Sequence, residues 1–182
     1  PWWSHDTWDL RIDDRIPRRP HEPAAHRPAR LGPIEPTWLR EGVRFWLRTA
    51  LTSQLYRWTT VVTRANTIGL YFAPWVAAHG ETHPALTDTA GDLREAFTDY
   101  LSWLRSPAAT TRDTPLAEEQ VASIQDHVQS FYRFMLDHVD HAAAATGDPR
   151  WRDLTEAHAR LWVVSRRRRR RHAPRIQDWI SA

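Results

Sequence analysis

Apolar residues recur at helical spacing through most of the chain, and no stretch alternates with the two-residue period of a half-buried strand. Leu39, Val43, Trp46, Leu47 and Ala50 share one side of a segment opened by Pro36-Thr37, with Arg40, Glu41, Arg44 and Arg48 opposite; this predicts a first helix over 37–51. A second helix is expected from about residue 57 or 63 to 78, closed by Gly80. Pro74 lies inside it, has no N–H to give and crowds the preceding turn, so a bend or a split is expected near Leu70. A loop follows over 80–91. Asp92 opens a third helix, with Leu93, Phe97, Tyr100, Leu101 and Leu104 on one face. After a Thr- and Pro-rich loop over 106–114, Pro115 stands near the start of a fourth helix, whose Glu118 and Glu119 suit the positive end of the helix dipole. Its stripe is the most continuous: Val121, Ile124, Val128, Phe131, Tyr132 and Met135, beside Gln125, Gln129, Ser130 and Arg133. The pattern runs on through His141 to Ala145 before Gly147-Asp148-Pro149 interrupts it. Asp148 is placed to cap a fifth helix with Pro149 in its first position and Trp151, Leu154, Ala157, Leu161 and Trp162 inward. There is no internal repeat, and the class is all-α.

The two ends differ from this middle. Residues 1–36 hold Pro17, Pro20, Pro23, Pro28, Pro33 and Pro36, which predicts a mostly irregular arm, either a disordered leader or one anchored to the core by Trp2, Trp3, Trp8 and Leu10. Residues 37–163 are long enough to bury a core. Residues 164–182 begin an Arg-rich tail with an unbroken run, Arg166, Arg167, Arg168, Arg169, Arg170 and Arg171. Like charges at this density favour a solvated segment. A short apolar patch, Ile176-Gln-Asp-Trp-Ile180, follows it.

Charge changes the picture more than composition does. The formal net charge is +3, and all 25 basic residues are Arg. Seven of them lie in residues 166–182 with one acid, Asp178, so the preceding residues carry 18 Arg against 21 acids. The basic character therefore belongs to the tail. With no Cys there is neither a disulfide framework nor a thiolate metal site. No run of about 18 apolar residues suggests a membrane span, and no secretory signal is evident. The chain begins at Pro1, which suggests a trimmed or partial product. The expected location is cytoplasmic.

Three segments carry a likeness. They are Arg64-Ala-Asn-Thr67-Ile-Gly-Leu-Tyr71 with Trp75-Val-Ala-Ala-His-Gly80; Asp92-Leu-Arg-Glu-Ala-Phe97-Thr-Asp-Tyr100-Leu-Ser-Trp103-Leu; and Val121-Ala-Ser-Ile124 continuing to Val128-Gln-Ser-Phe131-Tyr-Arg-Phe-Met135-Leu. In order and spacing they resemble the N-terminal core-binding domain of tyrosine recombinases, the phage integrase family. Trp8-Asp-Leu-Arg11 and Pro36-Thr-Trp-Leu-Arg40-Glu, with Phe45-Trp46-Leu-Arg48, resemble the leader and first helix of a large actinobacterial group of them, so the likeness spans about residues 8–163. The resemblance implies a SAM-like bundle of four main helices in two crossed hairpins, plus a fifth helix and irregular N- and C-terminal arms. It implies a unit that grips double-stranded DNA in integration and recombination, together with other recombinase protomers, with the start of the second helix and the outer face of the fourth approaching the major groove. The matching positions are Arg64, Asn66 and Thr67, and Ser123, Gln129, Ser130 and Arg133. These residue types suit such contacts, since Arg pairs with phosphate or guanine, Asn and Gln with adenine, and Ser and Thr with phosphate. Gln129 and Ser130 stand where such helices often carry basic residues, which predicts weak DNA affinity for the unit by itself. The arginine run would correspond to the interdomain linker that crosses the duplex backbone; a solvated or truncated tail is the other reading.

Strand cleavage in that family needs a Tyr nucleophile, two Arg, a Lys and a His-x-x-Arg box. His172-Ala-Pro-Arg175 matches the box literally, but Pro174 disfavours the helix it needs. All four Tyr precede residue 133, with Tyr71, Tyr100 and Tyr132 in apolar stripes, and there is no Lys. The expectation is a recombinase fragment without catalytic residues, cofactor, membrane or small-molecule substrate. His138 and His141, three apart beside Asp137 and Asp140, make at most a weak metal site, so no metal is expected. A helical protein-interaction module, or a remnant without a role, is the alternative function.

Overall fold

The structure, a computed structural model, describes residues 1–22, 27–86, 90–110 and 114–161. These residues are mostly helical: α1 (Thr37–Thr52), α2 (Trp58–Thr67), α3 (Ala73–Ala78), α4 (Ala90–Leu104), α5 (Glu118–Asp137), α6 (Val139–Thr146) and α7 (Glu156–Ala159). Leu39, Val43, Trp46, Leu47 and Ala50 of α1 have no exposed surface, and all six stripe residues of α5 are buried. Helix α1 packs against α2, α5 and α6, while α5 also meets α7. No described helix is long and apolar enough to cross a membrane.

Pro74 has the effect expected of it. The residues just before it, Ile68–Phe72, form a π-turn joining α2 to α3, and the Ala73 N–H reaches back to the Ile68 carbonyl. Such a wide turn is one of the ways a helix accommodates a proline, which has no N–H to give. Gly80 then closes the run with φ +66°.

Three features depart from the sequence pattern. The fourth helix does not continue to Ala145 as one rod: it breaks at His138, whose φ of −131° separates α5 from α6. The cause is local. The His138 ring stacks on Phe134 at 4.3 Å and its Nδ1 lies 2.9 Å from the Phe134 carbonyl, while the His138 N–H turns to Met135 instead. Side chain and backbone compete there for one acceptor.

The predicted fifth helix is also in two pieces. Asp148 caps its start as expected, accepting the Arg150 N–H at 3.0 Å, but Pro149–Asp153 is a 3₁₀ turn. Leu154 is extended, and Thr155 starts α7 afresh. The split lets both Trp151 and Leu154 reach the core.

The third departure is the arm. Thr7–Trp8 (β1) and Ala29–Arg30 (β2) form an antiparallel ladder of two residues each, too short to show as alternation. The arm is wedged into the molecule: Trp2, Trp8, Leu10, Ile16, Ala29, Leu31 and Ile34 join the same core as the helices. Arg44, on the face of α1 expected to be wet, donates to the Trp3 carbonyl at 2.8 Å, the His5 carbonyl at 2.6 Å and Asp6 at 2.6 Å. Glu22 accepts the Trp58 N–H at 2.7 Å, so the arm caps α2 from 36 residues away in sequence.

Candidate nucleic-acid interface

Helix α2 turns Trp58, Val61, Val62 and Ala65 into the core. Its other side is a column of threonines. Thr63 donates to the Thr59 carbonyl and Thr67 to the Thr63 carbonyl, each at 2.9 Å, so these two hydroxyls present their lone pairs outward. Asn66 and Arg64 are half-buried. The Arg64 guanidinium lies 4.6 Å from the Tyr56 ring centre and 5.3 Å from that of Trp46. Its Nε and Nη1 are buried without a hydrogen-bond partner, and burial pushes its pKa down.

Helix α5 crosses beside α2 and offers two flanks, one on each side of its buried stripe. On the flank toward α2 lies His127, with Ser123 one turn before it and Ser130 about one turn after. Ser123 is exposed, and Ser130 donates back to the Asp126 carbonyl at 2.7 Å. Thr59, Thr60, Thr63, Arg64 and His127 line a shallow cleft of about 260 Å³. On the opposite flank, Gln129 donates to the Ala159 carbonyl at 3.0 Å and Arg133 to the same oxygen at 3.4 Å. That carbonyl ends α7 and has no intrahelical donor, so the two side chains cap α7.

The seven positions singled out by sequence are therefore divided. Arg64, Asn66 and Thr67 lie on α2 and Ser123 and Ser130 on the adjoining flank of α5. Gln129 and Arg133 belong to the joint between α5 and α7. The arginines at 166–171, and the His172-Ala-Pro-Arg175 match, lie outside the described residues.

No family model, curated protein or solved structure matches this chain.

Thr59, Thr60, Thr63 and His127 do not stand out in the sequence reading. The spacing of Thr59, Thr63 and Thr67, four residues apart, is the available signal, since that interval keeps side chains on one helix face. His127 falls between stripe residues and gives no such sign.

Of the other chemistry-bearing groups, Tyr100 is buried and donates to the Tyr71 carbonyl at 3.0 Å, and Tyr132 is buried and donates to the Pro84 carbonyl at 3.1 Å. Burial raises both phenols well above their ordinary value. Buried His158 accepts the Thr155 N–H on Nδ1 at 3.0 Å and donates from Nε2 to the Ala85 carbonyl at 3.0 Å, which specifies the neutral ring. Burial lowers its pKa. A depressed histidine supports the fold fully above its unfolded value of about 6.5, and that support is lost as pH falls below it. The melting temperature should fall as pH is lowered through about 6.5 and below, and less so in His158→Gln than in the parent protein. Parallel pH profiles for the two would contradict this.

Proposed function

We propose that the chain is a DNA-gripping unit: the core-binding domain of a site-specific tyrosine recombinase, built as two crossed helical hairpins and taking part in DNA integration and recombination in the cytoplasm. The observation that carries the reading is the side-by-side placement of α2 and α5, which sets Thr59, Thr60, Thr63, Arg64, Ser123, His127 and Ser130 along one polar strip. Thr59, Thr60, Arg64, Ser123 and His127 bring donors for phosphates and base edges, while the Thr63 and Ser130 hydroxyls, which donate to their own helices, present acceptors; one or both helices can enter a major groove. The order of motifs along residues 8–163 supports the same reading. The partners are double-stranded DNA and other recombinase protomers.

Strand cleavage falls to another domain in this proposal. Tyr100 and Tyr132 are committed to backbone carbonyls inside the core, where a phosphate cannot reach them. Incubated with suicide half-sites, the chain should yield no covalent adduct.

The experiment is fluorescence anisotropy at several salt concentrations, on flanking DNA of the host element and on scrambled duplex. Deleting residues 165–182 should weaken binding to every duplex alike and flatten the salt dependence, because fewer counterions are released. Arg64→Ala should reduce binding within the folded unit. Gln129→Ala and Arg133→Ala test whether base reading extends to the α7 side; a loss of preference for the cognate duplex would place them at the bases. Should the tail deletion abolish all binding while substitutions on α2 and α5 change nothing, the folded unit is not the DNA reader and the reading fails.

A further inference from the structure

Most arginines described outside the α2–α5 cleft have a partner. Arg11, Arg15, Arg40, Arg44, Arg105, Arg150 and Arg152 pair with carboxylates, Arg19 donates to the Gln54 carbonyl, and Arg48 lies over Trp3. Arg64 has no carboxylate within ion-pair distance among the described residues, although packing on Tyr56 and Trp46 removes its Nε and Nη1 from water. Desolvating a guanidinium with two N–H-bearing nitrogens unpaired is costly unless something anionic offsets it. Across the cleft, the Nδ1 of His127 is likewise buried without a partner. The cleft also receives the first turn of α2, where the N–H groups of Thr59 and Thr60 have no intrahelical acceptor and the helix dipole is positive. The Trp58 N–H in that turn is already taken by Glu22.

We propose that this cleft, between Arg64 and His127 with the first turn of α2 as its floor, is a specific site for one phosphate group, and that filling it draws a proton onto His127. The Tyr56 and Trp46 rings, set edge to face, hold the guanidinium in place, so little side-chain entropy is lost when the anion arrives. The charged groups around the site are Arg64 on α2, His127 and exposed Asp126 on α5, and the Glu22 carboxylate of the arm at the start of α2. Burial, then the field of Arg64, lowers the His127 pKa, against the opposing field of Asp126. A phosphate dianion or diester beside the ring reverses that balance, because an opposite charge within a few ångströms favours the protonated form. The phosphate is supplied either as inorganic phosphate or by a duplex backbone. The second source rests on the DNA-binding reading above; the first does not.

The test uses the full chain and follows the His127 ring protons by NMR as pH is lowered. It compares inorganic phosphate, sodium chloride at matched ionic strength, and a duplex. Phosphate should raise the His127 midpoint where chloride does not. Arg64→Met should remove that shift, and Arg64→Lys, which keeps the charge but loses the guanidinium held against the two rings, should restore it only in part. Circular dichroism melts establish that the variants are folded. The duplex should raise the midpoint too, and Arg64→Met should lower the salt slope of duplex binding by about one. A phosphate-induced shift without any duplex effect would uphold the anion site and remove DNA as its source. Equal midpoints in phosphate and chloride, or a shift that persists in Arg64→Met, would overturn the site even if the duplex binds elsewhere.

Discussion

Trp151→Ala should destabilise the protein by about 3–5 kcal/mol, the range for truncating a fully buried Trp. Its indole packs on Trp38 at 5.8 Å and Phe131 at 6.0 Å, and it lies directly against α1 at Gly42. A Cβ at residue 42 would sit 2.5 Å from Cζ2 and 2.7 Å from Cη2 of that ring, with the Phe131 ring 3.3 Å away. Gly42→Ala in the parent protein should therefore destabilise, since overpacking a tight core costs about 1–3 kcal/mol against a helix-propensity gain of about 1 kcal/mol. In the Trp151→Ala background the obstruction is gone, and the same Gly42→Ala change should become stabilising by up to about 1 kcal/mol. Urea midpoints of the four proteins provide the cycle. A Gly42→Ala effect of the same sign in both backgrounds would mean that the indole does not lie across α1.

Phe131→Ala should cost a similar amount, about 3–5 kcal/mol, for a related reason. Its ring has no exposed surface and stands 5.5 Å from Trp46, 5.3 Å from Tyr132 and 6.0 Å from Trp151. Against a typical total of about 5–15 kcal/mol, either loss is a large fraction of the stability. Because Phe131 and Trp151 touch one shared space, the double variant should depart from additivity by about 0.5–3 kcal/mol. An unchanged urea midpoint for Phe131→Ala would mean that the inward face of α5 is misassigned.

These residues mark what the sequence made legible. The stripe from Val121 to Met135 states its inward face through periodicity alone, because its members are apolar and recur at helical intervals. Pro74 likewise announces the disturbance before it, since the missing N–H is a property of the residue itself. The rest depended on partners far along the chain. Nothing near Arg44 shows that it will hold the Trp3 and His5 carbonyls, and nothing near Trp58 shows that Glu22 will cap it. The arm therefore reads as irregular, which it largely is; Trp2, Trp8 and Leu10 point to its anchoring as one of two readings, while the burial of Ile16, Ala29, Leu31 and Ile34 does not show. The break at His138 needed the ring's bond to the Phe134 carbonyl, a competition that hydrophobic spacing does not register.

The candidate site was legible by halves for the same reason. Arg64 and Thr67 could be placed on one helix from spacing, whereas the meeting of Arg64 with His127 depends on how α2 packs against α5. Gln129 and Arg133 look like a wet face along α5 until α7 returns and leaves its last carbonyl beside them. Their polar character serves a helix end that periodicity does not anticipate.

The central claim, that the polar strip of α2 and α5 meets duplex DNA, is tested most directly by mapping amide chemical-shift changes on the full chain as a short duplex is added at low salt. The account predicts the largest changes at residues 59–67 and 123–130, with a second set in the arginine run that fades first as salt is raised. Changes confined to residues 162–182, with the strip unmoved at every salt concentration, would contradict it.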